Sequence, residues 1–222
     1  MISINQKEYA FIDQIMLVKT FITGQLATNS YLVGDEVTKE AVVIDPWQKI
    51  DVILACLHSN DLHLTAIINT HGHFDHVSGN LALQKATGAP ILIHPADAAL
   101  SEKAGLLAGL VHLRGKNSPP ADVFLKEGQE IEVGKLLFRV LHTPGHTPGG
   151  ITLAGDGVLF CGDLLFHGSP GITNLPGCSE NDLANSINKL MFTFPKETAI
   201  YCGHGPMTTV GGEREHYMTA TQ

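Results

Sequence analysis

The feature that most constrains this chain is a dense run of metal-binding side chains, Thr-His-Gly-His-Phe-Asp-His, at residues 70–76. An apolar run typical of a buried strand directly precedes it. Imidazole and carboxylate groups bind Zn²⁺, iron or Mn²⁺ at neutral pH. The spacing is not the i, i+4 histidine pair of helical zinc proteases. It indicates a loop that leaves a strand, with His71 and His73 directed to one point and Asp75 and His76 to a second.

Three more candidate ligands lie in glycine-bearing turns beside apolar, strand-like runs. His146 is in His-Thr-Pro-Gly-His-Thr-Pro-Gly-Gly, Asp163 in Phe-Cys-Gly-Asp, and His204 in Tyr-Cys-Gly-His-Gly. Glycine lets the backbone turn tightly and approach an ion closely. With the first motif, the chain therefore offers five histidines and two aspartates, which is enough for two metal sites.

This pattern resembles that of the metallo-β-lactamase superfamily and is most similar to the glyoxalase II-type hydrolases. The resemblance runs from residues 29–33 (Asn-Ser-Tyr-Leu-Val) and 41–45 (Ala-Val-Val-Ile-Asp) to residues 202–206 (Cys-Gly-His-Gly-Pro). All seven expected ligand positions are filled. The resemblance implies that one metal is held by His71, His73 and His146, that the other is held by Asp75, His76 and His204, and that Asp163 bridges the two.

The resemblance also implies the fold class, an α/β four-layer αβ/βα sandwich with two facing mixed β-sheets and helices outside. A chain of 222 residues, of which 44% are hydrophobic and 16% charged, is long and apolar enough to bury a sizeable core. We therefore expect one domain over residues 1–222.

Hydrophobic periodicity and turn residues predict alternating strands and helices along the chain. The expected strands are residues 15–21, 30–33, 41–44, 62–69, 89–94, 131–133, 136–141, 150–153, 158–161 and 198–202. The expected helices are residues 49–60, 77–87, 95–103, 181–191 and 213–219. Residues 105–120 mix apolar residues with glycine and end in Pro-Pro, which indicates a plain connection or, as the alternative, a flap over the site.

The resemblance implies a metal-dependent hydrolase with two divalent ions, zinc or else iron or manganese. The two ions would share a hydroxide that attacks an acyl carbon. Asp163, as the bridge, and Asp75, which would also orient the hydroxide, are the predicted catalytic residues. A thioester, or a related ester or lactone, is the expected substrate. A thiolate with a pKa of about 8.5 can leave without a general acid, and the sequence shows no obvious acid.

Two departures from the glyoxalase II pattern bear on the substrate. Small relatives show Gly-Arg-Thr-Asp in the loop after the bridging aspartate, whereas residues 171–174 read Gly-Ile-Thr-Asn. Ile172 and Asn174 thus remove an anchor for the carboxylate of glutathione. We predict that both face the substrate, as does His167 in the same loop. The second departure is Trp47, which stands where relatives usually have glycine. Its side chain either lines the rim of the site or only packs against neighbouring side chains.

Two other functions stay open at this stage. The first is a mononuclear iron enzyme similar to the persulfide dioxygenases, in which His71, His146 and Asp163 form a two-histidine, one-carboxylate triad. The absence of arginine at Ile172 counts against it. The second is a family member that binds metal without catalysis, against which the complete ligand set argues.

Charge and cysteine content narrow the partners and the compartment. A net charge of −8 argues against nucleic acids and anionic membranes as partners, so we expect a small-molecule substrate, with a homodimer as one option for assembly. The cysteines form no Cys-x-x-Cys pair and no dense framework, which indicates free thiols in a reducing compartment. Lys7 and Glu8 stand where a signal peptide needs an apolar core, so we expect a cytoplasmic protein. Cys161 and Cys202 each stand two residues before a predicted ligand, so thiolate coordination is a lesser alternative.

Overall fold

Two six-stranded sheets organise the chain, of which the computed structural model describes residues 16–110 and 112–219. The N-terminal half contains β1 (Met16–Thr23), β2 (Thr28–Asp35), β3 (Glu40–Ile44), α1 (Ile50–Ser59), β4 (His63–Ile68), α2 (Phe74–Val77), α3 (Asn80–Thr87), β5 (Ile91–Ile93), α4 (Pro95–Glu102), α5 (Ala104–Leu110) and β6 (Val123–Phe124). The C-terminal half contains β7 (Glu130–Val133), β8 (Leu136–His142), β9 (Ile151–Gly155), β10 (Val158–Gly162), β11 (Leu165–Phe166), β12 (Ser169–Pro170), α6 (Glu180–Thr193), β13 (Ala199–Cys202), β14 (Thr208–Thr209) and α7 (Val210–Thr219).

Both large sheets are mixed. The first has the order β1-β2-β3-β4-β5-β6, antiparallel up to β3 and parallel from β3 onward. The second has the order β14-β13-β10-β9-β8-β7, in which only the β10–β13 pair is parallel. Strands β11 and β12 form a separate small hairpin after β10.

The alternation of side chains along β2 shows how the layers are built. Tyr31 and Val33 belong to a buried cluster that joins both sheets, with Phe138 and Phe160 as members from the second sheet. Leu32 points the other way, into a cluster with the helices outside the first sheet. Both faces of this strand are therefore covered, which is why its apolar residues run on without a polar face.

Helices cover the outer face of each sheet. Ile53 of α1 and Leu83 of α3 pack in the cluster outside the first sheet. Leu183 and Leu190 of α6 pack in the cluster outside the second. The arrangement is the predicted four-layer sandwich, with two facing mixed sheets and helices outside.

The helix predicted over residues 77–87 is wrong at its start and in its continuity. It is two helices, and α2 begins at Phe74, so Asp75 and His76 lie inside a helix rather than before one. The break falls at Gly79, whose N–H donates to the carbonyl of Pro46 at 2.9 Å. A Cβ there would lie 2.6 Å from that carbonyl oxygen, so only glycine allows this approach.

Other differences concern short elements. Residues 105–120 are not a plain connection throughout, because α5 occupies Ala104–Leu110 with Ala104 and Ala108 fully buried. Strands β6, β11, β12 and β14 have two residues each and were not predicted. The predicted first strand began at residue 15, which lies outside the described residues. Within the described part of the chain, no helix is long and apolar enough to cross a membrane.

Candidate metal centre

All seven predicted ligands come from chain segments that follow strands at one edge of the two sheets. His71 and His73 follow β4, and Asp75 and His76 lie in α2 directly after them. The other three are His146 in the β8–β9 connection, Asp163 directly after β10, and His204 two residues after β13.

The structure brings six of these side chains together as two groups of three. The ligand atoms of His71, His73 and His146 lie within 4.8 Å of one another, and so do those of Asp75, His76 and His204. In the first group, His73 Nδ1 is 2.9 Å from His146 Nε2. In the second, His204 Nε2 is 3.2 Å from Asp75 Oδ2.

Asp163 lies between the two groups. Its Oδ1 is 3.4 Å from His76 Nε2, and its Oδ2 is 3.5 Å from both His146 Nε2 and His204 Nε2. One carboxylate therefore faces both triads at once, which is the arrangement expected of a bridging ligand.

Four of the five imidazoles have Nδ1 fixed by an oxygen atom, which leaves Nε2 directed at the cluster. The fixed pairs are His71 with Thr70 Oγ1 (3.1 Å), His76 with Asp45 Oδ2 (3.0 Å), His146 with Ile172 O (2.8 Å) and His204 with Leu26 O (3.0 Å). These contacts set the orientation of each ring before any ion binds.

Three buried polar atoms of the cluster have no hydrogen-bond partner among the described residues: His71 Nε2, His76 Nε2 and Asp163 Oδ1. Buried polar atoms in native proteins are nearly always paired, because an unpaired one costs free energy. All three point to the same small volume and are good ligand atoms for a divalent cation. The residues present therefore fit a metal centre.

Protonation differs across the cluster. Burial, followed by the charge of neighbouring histidines, lowers the pKa of His71 well below its ordinary value and that of His73 to about 4. Both rings are thus neutral near pH 7 and can offer a lone pair to a cation.

The opposite shift occurs beside the carboxylates. Burial would lower the pKa of His76, but Asp75 and Asp163 outweigh it and raise the pKa well above its ordinary value. Hydrogen bonds to the same two carboxylates raise the pKa of His204 to about 9 against the effect of burial. The pKa values of Asp75 and Asp163 are lowered in turn by His76 and His204, despite burial. Positive charge is therefore favoured where the carboxylates converge.

Comparison with known proteins is consistent with this geometry. A sequence model of the metallo-β-lactamase superfamily matches residues 23–204. The chain belongs to this superfamily. It is 30% identical over 201 residues to the probable metallo-hydrolase YqgX of Bacillus subtilis, covering 86% of this chain and 92% of that one.

Two solved structures are similar over most of their length. TTHA1623 in a di-iron-bound form has a TM-score of 0.82 and 38% identity, over 90% of this chain and 98% of that one. ETHE1 from Myxococcus xanthus has a TM-score of 0.77 and 31% identity, over 90% of this chain and 83% of that one. Superfamily and relatives together indicate a metal-binding enzyme of the metallo-hydrolase type.

Asp45 supports the centre of this superfamily member in a way that the sequence analysis did not assign. Its carboxylate accepts hydrogen bonds from Thr70 N (2.7 Å) and Thr70 Oγ1 (2.6 Å) and contacts His76 Nδ1. Asp45 also lies close enough to His71 and His76 to form a third possible ligand group. We assign it to positioning instead, because both of its oxygens are already engaged. The sequence feature that could have identified Asp45 is its position directly after β3 and before Pro46.

The predicted substrate residues lie in one exposed segment beside the centre. His167 is at the turn of the β11–β12 hairpin, and Ile172 and Asn174 follow β12; all three side chains are exposed. Ile172 is tied to the centre through its carbonyl, which contacts His146, while its side chain is 50% exposed. None of the three belongs to the ligand groups found among the described residues, and their contact with substrate stays a prediction.

Cys161 and Cys202 are not in those groups either. Both are buried in the apolar cluster under α6. A hydrogen bond with Cys202, together with burial, raises the pKa of the Cys161 thiol well above its ordinary value. A protonated thiol in an apolar cluster is a poor ligand, which argues against the thiolate alternative.

Proposed function

We propose that this protein is a hydrolase that uses two divalent metal ions. The observation that carries the proposal is the position of Asp163 between two triads, with unpartnered buried atoms aimed into the same volume. The ligands would be His71, His73 and His146 for one ion and Asp75, His76 and His204 for the other, with Asp163 shared. When bound, two such ions polarise a carbonyl and lower the pKa of water.

Zinc is our first choice of metal, with iron or manganese as the alternatives. Imidazole and carboxylate ligands suit all three. The di-iron form of TTHA1623, a 38% identical structure, supports a paired site and keeps iron in consideration.

Asp75 is proposed to orient the attacking water as well as to bind metal. Thr28 Oγ1 donates a hydrogen bond to Asp75 Oδ2 at 3.0 Å, and His204 contacts the same oxygen. Because its pKa is lowered, Asp75 is ionised near pH 7 and can accept a hydrogen bond from water on its remaining lone pairs.

A thioester is the favoured substrate, with a related ester or lactone next. Four of the five imidazoles in the cluster have Nδ1 engaged by an oxygen and Nε2 directed at the proposed metal ions, so as metal ligands they would have no proton to give to a leaving group. A thiolate, with a pKa of about 8.5, leaves without such help, whereas an amine does not.

The thiol part of the substrate is proposed not to depend on the anchor that glyoxalase II-type enzymes use. Ile172 and Asn174 offer neither a cation nor a carboxylate in the loop beside His146. A glutathione carboxylate would find no charge-assisted hydrogen bond from these two positions.

The test is a panel of substrates that share one acyl group: a glutathione thioester, a short neutral thioester, an oxygen ester and a lactone. We expect metal-dependent turnover that is fastest on the thioesters and is abolished in His73→Ala. The control is His58→Ala, which removes an exposed imidazole from α1. Full activity in His73→Ala would overturn the site assignment.

A mononuclear iron persulfide dioxygenase is the second candidate, because His71 and His146 belong to one triad and Asp163 Oδ2 lies 3.5 Å from His146 Nε2. It would use His71, His146 and Asp163 as ligands. Oxygen uptake on a glutathione persulfide, without thioester turnover, would put this candidate first. Stable metal binding with no turnover on any of these compounds would leave the non-catalytic alternative.

A further inference from the structure

A surface cavity of about 380 Å³ lies beside the metal-ligand helix α2 and is lined by three cationic side chains, Lys49, Arg114 and Lys116. We propose that it binds the phosphate group of an organic phosphate. The site is distinct from the metal centre, and its binding role does not depend on which reaction the centre performs.

The charge of the cavity is unbalanced. None of the three cations forms an ion pair with a carboxylate in the described part of the chain. Among the described residues, no aspartate or glutamate lines the cavity, although the whole chain carries a net charge of −8. Three unpaired cations around one volume attract a multiply charged anion.

Backbone donors add to this charge. Helix α1, ten residues long, begins at the cavity, where Lys49 and Ile50 are lining residues. Lys49 is its N-cap, and no side chain of the described residues caps the helix. The N–H of Val52 donates to the carbonyl of Lys49, whereas the N–H groups of Ile50 and Asp51 and the positive end of the helix dipole remain available to an anion. Asp51, the acidic residue of this turn, does not line the cavity.

The segment that carries Arg114 and Lys116 is packed in place. Lys116 N donates to Ser78 Oγ at 2.8 Å, and Ser78 Oγ donates to the carbonyl of Lys116 at 3.1 Å. A Cβ on Gly115 would lie 2.6 Å from Ala108 Cβ and 3.1 Å from Phe74 Cβ, so the backbone passes close to both. The cationic side chains thus extend from a fixed backbone.

The cavity is also near the metal centre along the chain. Ser78 and Gly79 line it and directly follow α2, which contains Asp75 and His76. Four helical residues span only about 6 Å. A phosphate bound here is therefore within reach of the same elongated molecule that places another group at the metal centre.

Phosphate suits the site better than a carboxylate. One carboxylate would leave most of the positive charge unneutralised, whereas a phosphate monoester or diphosphate carries two or more negative charges. Arginine forms bidentate hydrogen bonds with phosphate, and lysine contributes a point charge. The volume lies within the range of ligand pockets and leaves room for part of the attached organic group.

Binding can be measured directly, because Trp47 is the single tryptophan of the chain and lines this cavity. Metal-loaded protein is titrated with pyrophosphate and with coenzyme A, by calorimetry and by tryptophan fluorescence. The test variant is Arg114→Gln/Lys116→Gln. The matched control is Arg139→Gln/Lys196→Gln, which removes one arginine and one lysine that are exposed elsewhere.

We expect the test variant to bind both probes at least about tenfold more weakly and the control to bind as the wild type does. His73→Ala, which disturbs the metal centre, should keep the binding. Equal affinity in the test variant, no binding in the wild type, or loss of binding in His73→Ala alone would each overturn the proposal. The last result would place the phosphate at the metals.

A kinetic arm identifies the source of the phosphate. If it belongs to the thiol part of a thioester substrate, Arg114→Gln/Lys116→Gln raises KM for acetyl-coenzyme A and leaves KM for a short neutral thioester unchanged. If a free organic phosphate is the ligand, the same variant binds coenzyme A and pyrophosphate more weakly. Its KM values for acetyl-coenzyme A and for the short neutral thioester then both equal those of the wild type. This arm rests on the proposed hydrolase function, whereas the titrations do not.

Discussion

The carboxylate of Asp97 accepts a hydrogen bond from the backbone N–H of Gly149 at 2.6 Å. Its second oxygen accepts one from the N–H of Gly72 at 2.8 Å. Gly72 lies between His71 and His73, and Gly149 is three residues after His146. A fully buried carboxylate from α4 thus joins the two loops that supply the first ligand triad.

Asp97→Asn should weaken metal binding by about tenfold or more. Hydrogen bonds that hold the ligand-bearing groups in position typically change metal affinity on this scale. The amide keeps one acceptor oxygen but turns its NH₂ group toward one of the two backbone donors. We also expect a loss of about 1–3 kcal/mol in the free energy of unfolding. Chelator competition measures the first effect and urea unfolding the second.

Asp122→Asn is the matched control for that change. Asp122 Oδ2 accepts a hydrogen bond from the N–H of Ile91 at 2.8 Å, away from the metal loops. Asp122→Asn should lower the free energy of unfolding without changing the affinity for metal. Equal loss of affinity in the two variants would show that Asp97 has no specific role at the centre.

Gly203→Ala should lower turnover by about 10²-fold, since displacing a reactive group by about 1 Å costs this much. The new Cβ would lie 2.0 Å from Asp163 Oδ1 and 2.9 Å from His76 Cε1, so the carboxylate between the triads must move. Gly109→Ala is the control, because the new Cβ would meet no atom within 4 Å from the described residues outside its own stretch of helix. Steady-state kinetics and metal content are the readouts, and wild-type values for Gly203→Ala would contradict the placement of Asp163.

Asp35→Asn should reduce stability at neutral pH by about 1–3 kcal/mol. Asp35 is buried and accepts hydrogen bonds from the N–H groups of Val37 and Lys135, at 2.8 and 2.7 Å, which links the two sheets at a pair of turns. Burial alone would raise its pKa, but these backbone donors hold the pKa below the ordinary value.

The pH dependence of this effect has a definite sign. Because the folded-state pKa of Asp35 lies below the unfolded value of about 3.9, the contribution is complete above that value and is lost as pH falls through the folded-state pKa. Urea unfolding from about pH 7 downward should show the gap between wild type and Asp35→Asn closing in acid. A stability difference that stays constant with pH would contradict this assignment. So would the same pH dependence in the comparison of wild type with the exposed control Asp51→Asn.

Ile172→Arg should lower KM for glutathione thioesters several-fold while leaving KM for a short neutral thioester unchanged. The side chain is half exposed, so arginine needs no repacking, and the carbonyl that contacts His146 is kept. Arginine can form a bidentate pair with a glutathione carboxylate, worth about 1.5–3 kcal/mol at most. Leu175→Arg adds the same charge at an exposed neighbouring position. An equal response in both variants would mean that charge alone, rather than this position, governs the affinity.

The convergence of the candidate ligands was predictable because their signal in the sequence is local. His71, His73, Asp75 and His76 fall within six residues, and each of the other three stands in a glycine turn after a strand-like run. Asp97 has no comparable signal. Its partners are 25 and 52 residues away along the chain, so only the folded structure shows what it joins.

Helices were predicted less well where packing opposes intrinsic propensity. Residues 104–110 include two glycines, which disfavour a helix, yet α5 forms because Ala104 and Ala108 are buried against their neighbours. The break at Gly79 has the same kind of cause, a contact with Pro46 that no local pattern contains.

The central claim is that one chain holds two metal ions between its two triads. Elemental analysis of protein purified without added metal, with the concentration set by amino-acid analysis, measures this directly. We expect two zinc, iron or manganese ions per chain, because Asp163 faces both triads. One iron per chain would contradict the dinuclear hydrolase and favour the mononuclear oxygenase, and no metal after reconstitution would contradict the site itself.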